Sequence, residues 1–159
     1  MTNARSETAG TLPAFRDAMK SRRYLVPADG FYEWKRSEKT KQPFCFEIDG
    51  GRLFAFAGLW DCWKDPTGQW IKSFSILTTT ANAITAPVDN RMPVILDPSD
   101  YDLGLDPGMK DPTVVSELLK PYGAAMRAYP VSSRINHVAN DDPECSAPLE
   151  AQVQDGLFS

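Results

Sequence analysis

The stretch YLVPADGFYEWKR, residues 24–36, places strand-forming residues on both sides of a Pro-Ala-Asp-Gly turn. Aromatic and β-branched side chains favour strands, and Asp-Gly steps favour turns. Side chains alternate along a strand, so Phe31, Glu33 and Lys35 share one face after the turn while Tyr32 points the other way. The stretch therefore predicts two strands and raises the question of why one carboxylate lies among aromatic rings.

Downstream, the sequence predicts further strands joined by short turns. The segments PFCFEI (43–48) and RLFAFAGLWDCW (52–63) flank the Asp-Gly step at 49–50, which predicts a hairpin. The turn sequence DPTG (65–68) lies between Trp63 and QWIKSFSILTT (69–79), which indicates a second hairpin. Consecutive strands joined by hairpins predict a mostly antiparallel α+β fold.

Helix signals lie on both sides of these strands. TLPAFRDAMKSRR predicts a helix from about 12 to 22, with Thr11 as its cap. DPSDYDLGL (97–105) and DPTVVSELLKPYG (111–123) each begin with Asp-Pro, a capping residue followed by the residue best tolerated at the first helical position. RMPVIL (91–96) predicts another strand.

Length and composition indicate one domain over residues 1–150, followed by a loose tail over 151–159. The sequence contains no apolar run long enough to cross a membrane, so we expect no membrane partner. Net charge is −4, which argues against a globally basic nucleic-acid binder. Residues 1–60 nevertheless carry an excess of three positive charges, which permits a local basic surface.

The three cysteines, Cys45, Cys62 and Cys145, form no metal-binding pattern. This predicts a reducing, cytoplasmic location and neither a metal nor a cofactor. His137, the one histidine, is interpreted as a loop residue. The four tryptophans suit base stacking, but their strand settings favour core packing for most of them.

Glu33 has two interpretations. In a cleft, loss of solvent would raise its pKa and make it a general acid or base; in solvent, it would pair with Lys35. Residues 2–8, TNARSET, allow Asn3 to orient a substrate and Arg5 to grip a phosphate, or form a plain loop.

Residues 88–96, VDNRMPVIL, place Asp89 and Arg91 at the mouth of a strand. Asp89 would relay a proton and Arg91 would hold a phosphate, or the two would form an ordinary surface pair. Thr78 either contacts a nucleic-acid backbone or belongs to a segment that caps the next turn. The residues alone leave these alternatives open.

Several stretches resemble, in order, the motifs of the SOS response-associated peptidase (SRAP) family: NARSET (3–8), RRYLVPADGFYEWKR (22–36), FAFAGLWDCW (54–63), SFSILTTTAN (73–82), RMPVIL (91–96) and YPVSSRIN (129–136). The resemblance runs over nearly the whole chain. It implies a compact α+β fold with a mostly antiparallel, barrel-like sheet and short flanking helices.

The resemblance also implies a function in the DNA damage (SOS) response. Members of the family recognise abasic sites in single-stranded DNA and form a covalent crosslink to them through a terminal cysteine. Transferred to the matching positions, Asn3 and Glu33 are catalytic helpers, with Glu33 as a proton shuttle, while Arg5 and Arg91 contact phosphates. From the residues alone, Thr78 is added as a candidate DNA contact. Asp89 stands where the family has a histidine.

The chain departs from the family pattern at its start, where Met1-Thr2-Asn3 replaces the family's Cys-Gly-Arg opening. We therefore expect an N-terminally shortened member whose covalent chemistry is impaired, also because of Asp89. The alternatives are a catalytically inactive relative that only binds single-stranded DNA, and an (auto)peptidase. A missing segment would leave an open surface, which predicts a homodimer.

Overall fold

The computed structural model describes residues 3–37 and 39–149, whose strands form two β-sheets flanked by short helices. The strands are β1 (Asn3–Arg5), β2 (Arg23–Ala28), β3 (Phe31–Arg36), β4 (Lys41–Glu47), β5 (Phe54–Lys64), β6 (Trp70–Thr80), β7 (Arg91–Pro93), β8 (Ile95–Leu96) and β9 (Arg127–Pro130). The helices are α1 (Ser6–Ala9), α2 (Arg16–Ser21), α3 (Tyr101–Leu105) and α4 (Pro112–Leu118), with 3₁₀ turns at Pro98–Asp100, Ser133–Asn136 and Pro143–Ser146. The predicted tail, 151–159, lies outside the described residues.

The larger sheet has the strand order β1-β6-β5-β2, with β7 paired to β6 and β8 paired to β5. The β5–β6 hairpin is confirmed: Asp65 Oδ1 accepts hydrogen bonds from the amides of Thr67 and Gln69, and Gly68 closes the turn at φ 85°. All pairs are antiparallel except β1 with β6, which run parallel. The predicted mostly antiparallel α+β fold is therefore confirmed.

The smaller sheet has the order β3-β4-β9, and it corrects the first predicted hairpin. Among the described residues β4 pairs with β3 and β9, while β5 pairs with β2, β6 and β8. The turn itself is present, since Asp49, Gly50 and Gly51 all have positive φ (43°, 68° and 91°). It passes the chain from one sheet to the other, because a turn sequence fixes where a chain reverses and not which strands pair.

The first predicted helix begins later than expected. Helix α2 starts at Arg16, and Thr11 donates its hydroxyl to the Thr8 carbonyl at the end of α1, so it is not the cap of α2. The Asp-Pro starts are confirmed, because Asp97 and Asp111 accept hydrogen bonds from amides two residues on. The longest described helix, α4, has seven residues, so no helix within 3–37 and 39–149 has the length or apolar character of a membrane span.

Two hydrophobic clusters hold the fold together. One joins the larger sheet to the helices through buried residues such as Ala18, Leu59 and Leu77. The other, here called the aromatic core, packs the two sheets against each other; it contains Phe31, Phe46, Ile48, Phe54, Phe56, Met92 and Ile95. The expectation of buried tryptophans is wrong for three of the four, because Trp60, Trp63 and Trp70 are 42%, 50% and 61% exposed.

Gly58 is required by a close approach inside the larger sheet. A Cβ atom at Gly58 would lie 2.5 Å from the Tyr24 ring. We expect Gly58→Ala to lower the free energy of unfolding by about 1–3 kcal/mol, because the ring must move within packed surroundings. Gly10→Ala is the matched control, since nothing lies within 4 Å of its Cβ position and its φ is −69°. Urea unfolding of both variants measures the difference, and equal effects would contradict the expectation.

Candidate functional site

A cavity of about 310 Å³ opens where β1, β3, β6 and β7 meet. It contains every site residue selected from the sequence, with one addition; its lining is Asn3, Arg5, Glu33, Thr78, Asp89, Arg91 and Met92. These residues come from four distant parts of the chain. The structure thus brings the six predicted residues together, while their chemical roles stay predictions.

Strand register explains how the first residues reach the cavity. Asn3 pairs with Ile76 and Arg5 with Thr78, so β1 lies beside the end of β6. Asn3 and Arg5 are exposed. Ala4 between them is 3% exposed and packs in the cluster that joins the larger sheet to the helices. The loop interpretation of this segment is therefore wrong: alternation along a strand presents the amide and the guanidinium on one face.

Asp89 reaches the cavity from a turn that is fixed by hydrogen bonds. Asn82 Oδ1 accepts from the amides of Ile84 and Thr85, both at 3.0 Å, and the Asp89 amide donates to the Thr85 carbonyl at 3.0 Å. Asp89 Oδ1 in turn accepts from the Arg91 amide at 2.8 Å. Asn82, rather than the threonines before it, is therefore the residue that caps this turn.

Glu33 lies at the edge of the aromatic core. It follows Phe31 on the same face of β3, and Phe31 stacks on Phe46 with ring centroids 5.0 Å apart. Burial raises the pKa of Glu33 to about 7, with a smaller contribution from the negative charge of Asp89. Glu33 takes part in no salt bridge within the described part of the chain, so the solvent-side pair with Lys35 is not formed. A carboxyl group of this pKa both donates and accepts protons at neutral pH.

Arg91 has a partner that sequence reasoning missed. Its Nη1 and Nη2 donate to the two carboxylate oxygens of Glu7 at 2.8 and 3.0 Å, and Nη2 also donates to the main-chain oxygen and Oγ1 of Thr78 at 2.8 and 3.0 Å. The hydrogen bond from Arg91 lowers the pKa of Glu7. No local pattern links two residues 84 positions apart, which is why the pair could not be predicted.

The two cavity arginines therefore differ in availability. Arg91 is 22% exposed and its charge is matched by Glu7, so it holds β7, β6 and α1 together. Arg5 is exposed and takes part in no salt bridge between described residues. Arg5 is thus the cavity cation that remains open to an incoming anion.

Other reactive side chains lie elsewhere. Cys45 and Cys145 are buried, Cys62 is partly buried, and none of the three lines the cavity. His137 is exposed beyond a 3₁₀ turn, in agreement with the loop interpretation. Within residues 3–37 and 39–149, no group of three or more His, Cys, Asp or Glu side chains is arranged to hold a metal.

Comparison with known sequences gives a consistent set of relatives. Residues 1–138 match the family model described as SOS response associated peptidase (SRAP). The chain is 43% identical to the Bacillus subtilis abasic site processing protein YoqW over 91% of its own length and 65% of that protein. It is 33% identical to the mouse abasic site processing protein HMCES, covering 96% of this chain and 51% of the relative. The chain therefore spans about half to two thirds of the length of these relatives.

Solved structures share the fold. A protein from Bacteroides thetaiotaomicron superposes with a TM-score of 0.85 at 31% identity, over 92% of this chain and 65% of that one. A protein from Bordetella bronchiseptica gives a TM-score of 0.71 at 32% identity, over 82% and 64%.

Titration of Glu33 should be visible in the stability of the protein. Because its pKa is about 7 when folded and 4.5 ordinarily, the folded state binds the proton more tightly, and stability falls as pH rises from 4.5 to 7. Gln cannot ionise, so we expect the free energy of unfolding of Glu33→Gln, relative to that of the parent, to rise by about 1–2 kcal/mol between these two pH values. This value is reduced because Glu33 is partly exposed. Urea unfolding below pH 4.5 and above pH 7 measures the gain. A pH-independent difference would contradict it.

The Glu7–Arg91 pair should contribute more than a surface ion pair. We expect Glu7→Gln to lower the free energy of unfolding by about 1–2 kcal/mol, since it removes a charged acceptor from a largely buried guanidinium. Glu117→Gln is the matched control, because Glu117 pairs with Lys120 on the surface, where pairs contribute below about 1 kcal/mol. Equal losses in urea unfolding would show that burial of Arg91 adds nothing.

Proposed function

The chain belongs to the SOS response associated peptidase (SRAP) family, and on that basis we propose that its cavity binds an abasic site in single-stranded DNA. The observation that carries this proposal is the meeting of a carboxyl group of pKa about 7 with an amide and an open arginine in one cavity. Relatives at 33–43% identity are abasic site processing proteins. A role in the response to DNA damage follows from the same proposal.

The lining suits a sugar that has lost its base. Its members in the described chain are polar or charged, apart from Met92 at the floor, and include no aromatic ring on which a base would stack. Carboxyl, amide and hydroxyl groups form hydrogen bonds with sugar hydroxyls, while Arg5 supplies charge-assisted bonds to a phosphate. An abasic nucleotide therefore fits this chemistry better than an intact one.

Each residue has a distinct part in this proposal. Arg5 holds the phosphate beside the lesion, and Asn3, on the same face of β1, orients the sugar. Arg91 is a positioning residue that keeps Thr78 and the start of β7 in place, and its predicted phosphate contact is not part of this proposal, because Glu7 matches its charge. Thr78 and Asp89 complete the polar wall, with Asp89 as the second carboxylate.

Glu33 is proposed to carry protons during opening of the sugar ring. An abasic sugar is a cyclic hemiacetal; when it opens, the C1′–O4′ bond breaks, a C1′ carbonyl forms, and one proton moves from the C1′ hydroxyl to O4′. A carboxyl group near neutral pKa accepts the proton from the C1′ hydroxyl and delivers a proton to O4′, so it ends in its starting state and the reaction is balanced without any further reactant. Burial keeps the pKa of Glu33 high, and the charge of Asp89 adds a smaller contribution in the same direction.

The alternatives differ in what they require of the cavity. A covalent crosslink needs a thiol or amine nucleophile, a group that the described lining residues do not include, so the crosslink is left to the test below. Peptidase activity through Thr78 is disfavoured, because its hydroxyl accepts a hydrogen bond from Arg91, which cannot act as a base. We propose recognition with proton transfer, because the described lining includes groups for both. The cytoplasmic location and the homodimer also stay predictions, the second open to sedimentation analysis.

Binding to oligonucleotides that differ only by one missing base tests the proposal. We expect tighter binding to the abasic strand, and Arg5→Ala should weaken it about tenfold and reduce the salt dependence of log K by about 0.7. Arg16→Ala removes the same charge from an exposed site on α2, paired with Asp17, and should change little. Fluorescence anisotropy at several salt concentrations gives both quantities.

Equal affinity for the abasic and intact strands would refute the proposal. A denaturing gel run on the same mixtures separates reversible from covalent binding. A heat-stable adduct would favour the crosslinking alternative over simple recognition, whereas Glu33→Gln should leave reversible binding to the strand in place.

A further inference from the structure

The β5–β6 hairpin carries aromatic and cationic side chains on a single face. Register pairs Trp60 with Phe74, Cys62 with Lys72 and Lys64 with Trp70. Directly opposed residues of antiparallel strands point to the same side of a sheet. We call this set the hairpin face: Trp60, Cys62, Lys64, Trp70, Lys72 and Phe74.

The rings of the hairpin face are exposed to solvent. Trp60 is 42% exposed, Trp70 61% and Phe74 62%. Exposed aromatic side chains gathered on one surface mark an interaction site more often than a packing defect. The hairpin face is therefore a candidate binding surface.

The charge of this surface favours an anionic partner. Lys64 Nζ lies 4.9 Å from the Trp70 ring centroid, and the Arg22 guanidinium lies 6.0 Å from that of Trp60. Lys72 adds a second lysine, and the hairpin face itself includes no carboxylate; Arg22 is not counted, because it pairs with Asp61. Asp61 points to the opposite side of β5 by alternation and pairs with Arg22.

The β6 row of the hairpin face leads to the candidate cavity past Ile76, which is partly buried against the aromatic core. Alternate residues of β6 share one side of the strand, so the row that begins with Trp70, Lys72 and Phe74 goes on to Ile76 and Thr78. Thr78 lines the cavity, and Arg5 lies opposite it on β1. At about 3.3 Å per residue the row spans roughly 26 Å, which is long enough for several nucleotides.

We propose that the hairpin face is the track along which single-stranded DNA leaves the cavity on one side of the abasic site. Bases stack on Trp70, Phe74 and Trp60, and phosphates lie near Lys64 and Lys72. Stacking suits a single strand, because the bases of a duplex already stack on each other. The inference rests on the proposed function and adds a direction and a surface to it.

The first test compares oligonucleotides with an abasic site at one end and a tail on either its 5′ or its 3′ side. We expect one tail polarity to strengthen binding as the tail lengthens, and Trp70→Ala or Phe74→Ala to weaken binding of that tailed strand about 5- to 100-fold. Leu53→Ala is the matched control, since Leu53 is 71% exposed and lies outside the hairpin face. A tail effect that both alanine variants retain would overturn the inference.

The second test uses the parent protein and needs no aromatic substitution. Cys62 lies on the hairpin face, whereas Cys45 and Cys145 are buried. A disulfide-tethered nucleotide, moved one position at a time away from the abasic site, should crosslink to Cys62 from one side only and best at one spacing. Cys62→Ser should abolish the crosslink, and Cys45→Ser should keep it. No preferred side or spacing would overturn the inference.

The outcomes also separate this inference from the proposed function. If abasic and intact strands bind equally but the alanine variants still weaken tailed strands, the hairpin face stands and the proposed function fails. If the preference for the abasic strand persists and the hairpin variants bind tailed strands normally, the proposed function stands and the inference about the hairpin face fails. If Trp70→Ala instead abolishes self-association in sedimentation without changing tail binding, the face holds a second copy and the inference is overturned.

Discussion

The packing of the two sheets against each other is the contact on which the candidate site depends. Phe31 stacks on Phe46 within the smaller sheet and meets Phe56 of the larger sheet edge-on, with centroids 5.0 and 5.8 Å apart. Strand alternation then fixes Glu33 two residues further on the same face, at the border of this aromatic core. The carboxylate is thus partly desolvated by the contact that joins the sheets, so any change in that packing changes its pKa as well.

The two arginines of the cavity differ in whether a carboxylate already pairs with them. Arg91 satisfies Glu7 and Thr78 at once, so its charge ties three elements together and adds little net attraction for anions. Arg5 has no such partner between described residues, and it reaches the cavity because β1 pairs in parallel with the end of β6. Two arginines that look equivalent in sequence thereby acquire different surroundings through one long-range carboxylate.

Local chemistry made part of this structure predictable. The turn at 65–68 and the Asp caps at 97 and 111 follow from residues within one turn of each other, and all are present. The partner of β4 and the Glu7–Arg91 pair were not predictable, because they depend on which distant segments meet. The candidate site residues were predicted from motif resemblance and strand alternation; they line one cavity, and their roles stay predictions. The pKa of Glu33 needed the structure, since desolvation depends on both sheets.

Strand β6 shows how one segment serves both stability and chemistry. Ser75, Leu77 and Thr79 are at most 6% exposed, and Leu77 packs in the core that joins the sheet to the helices. The alternate residues carry the cavity wall at Thr78 and the exposed Phe74 and Trp70 further along. Stability alone gives no reason to keep two large rings in water. Within β6, the period of two places both exposed rings on one face, where a ligand can cover them, while Ser75, Leu77 and Thr79 on the other face help to hold the fold.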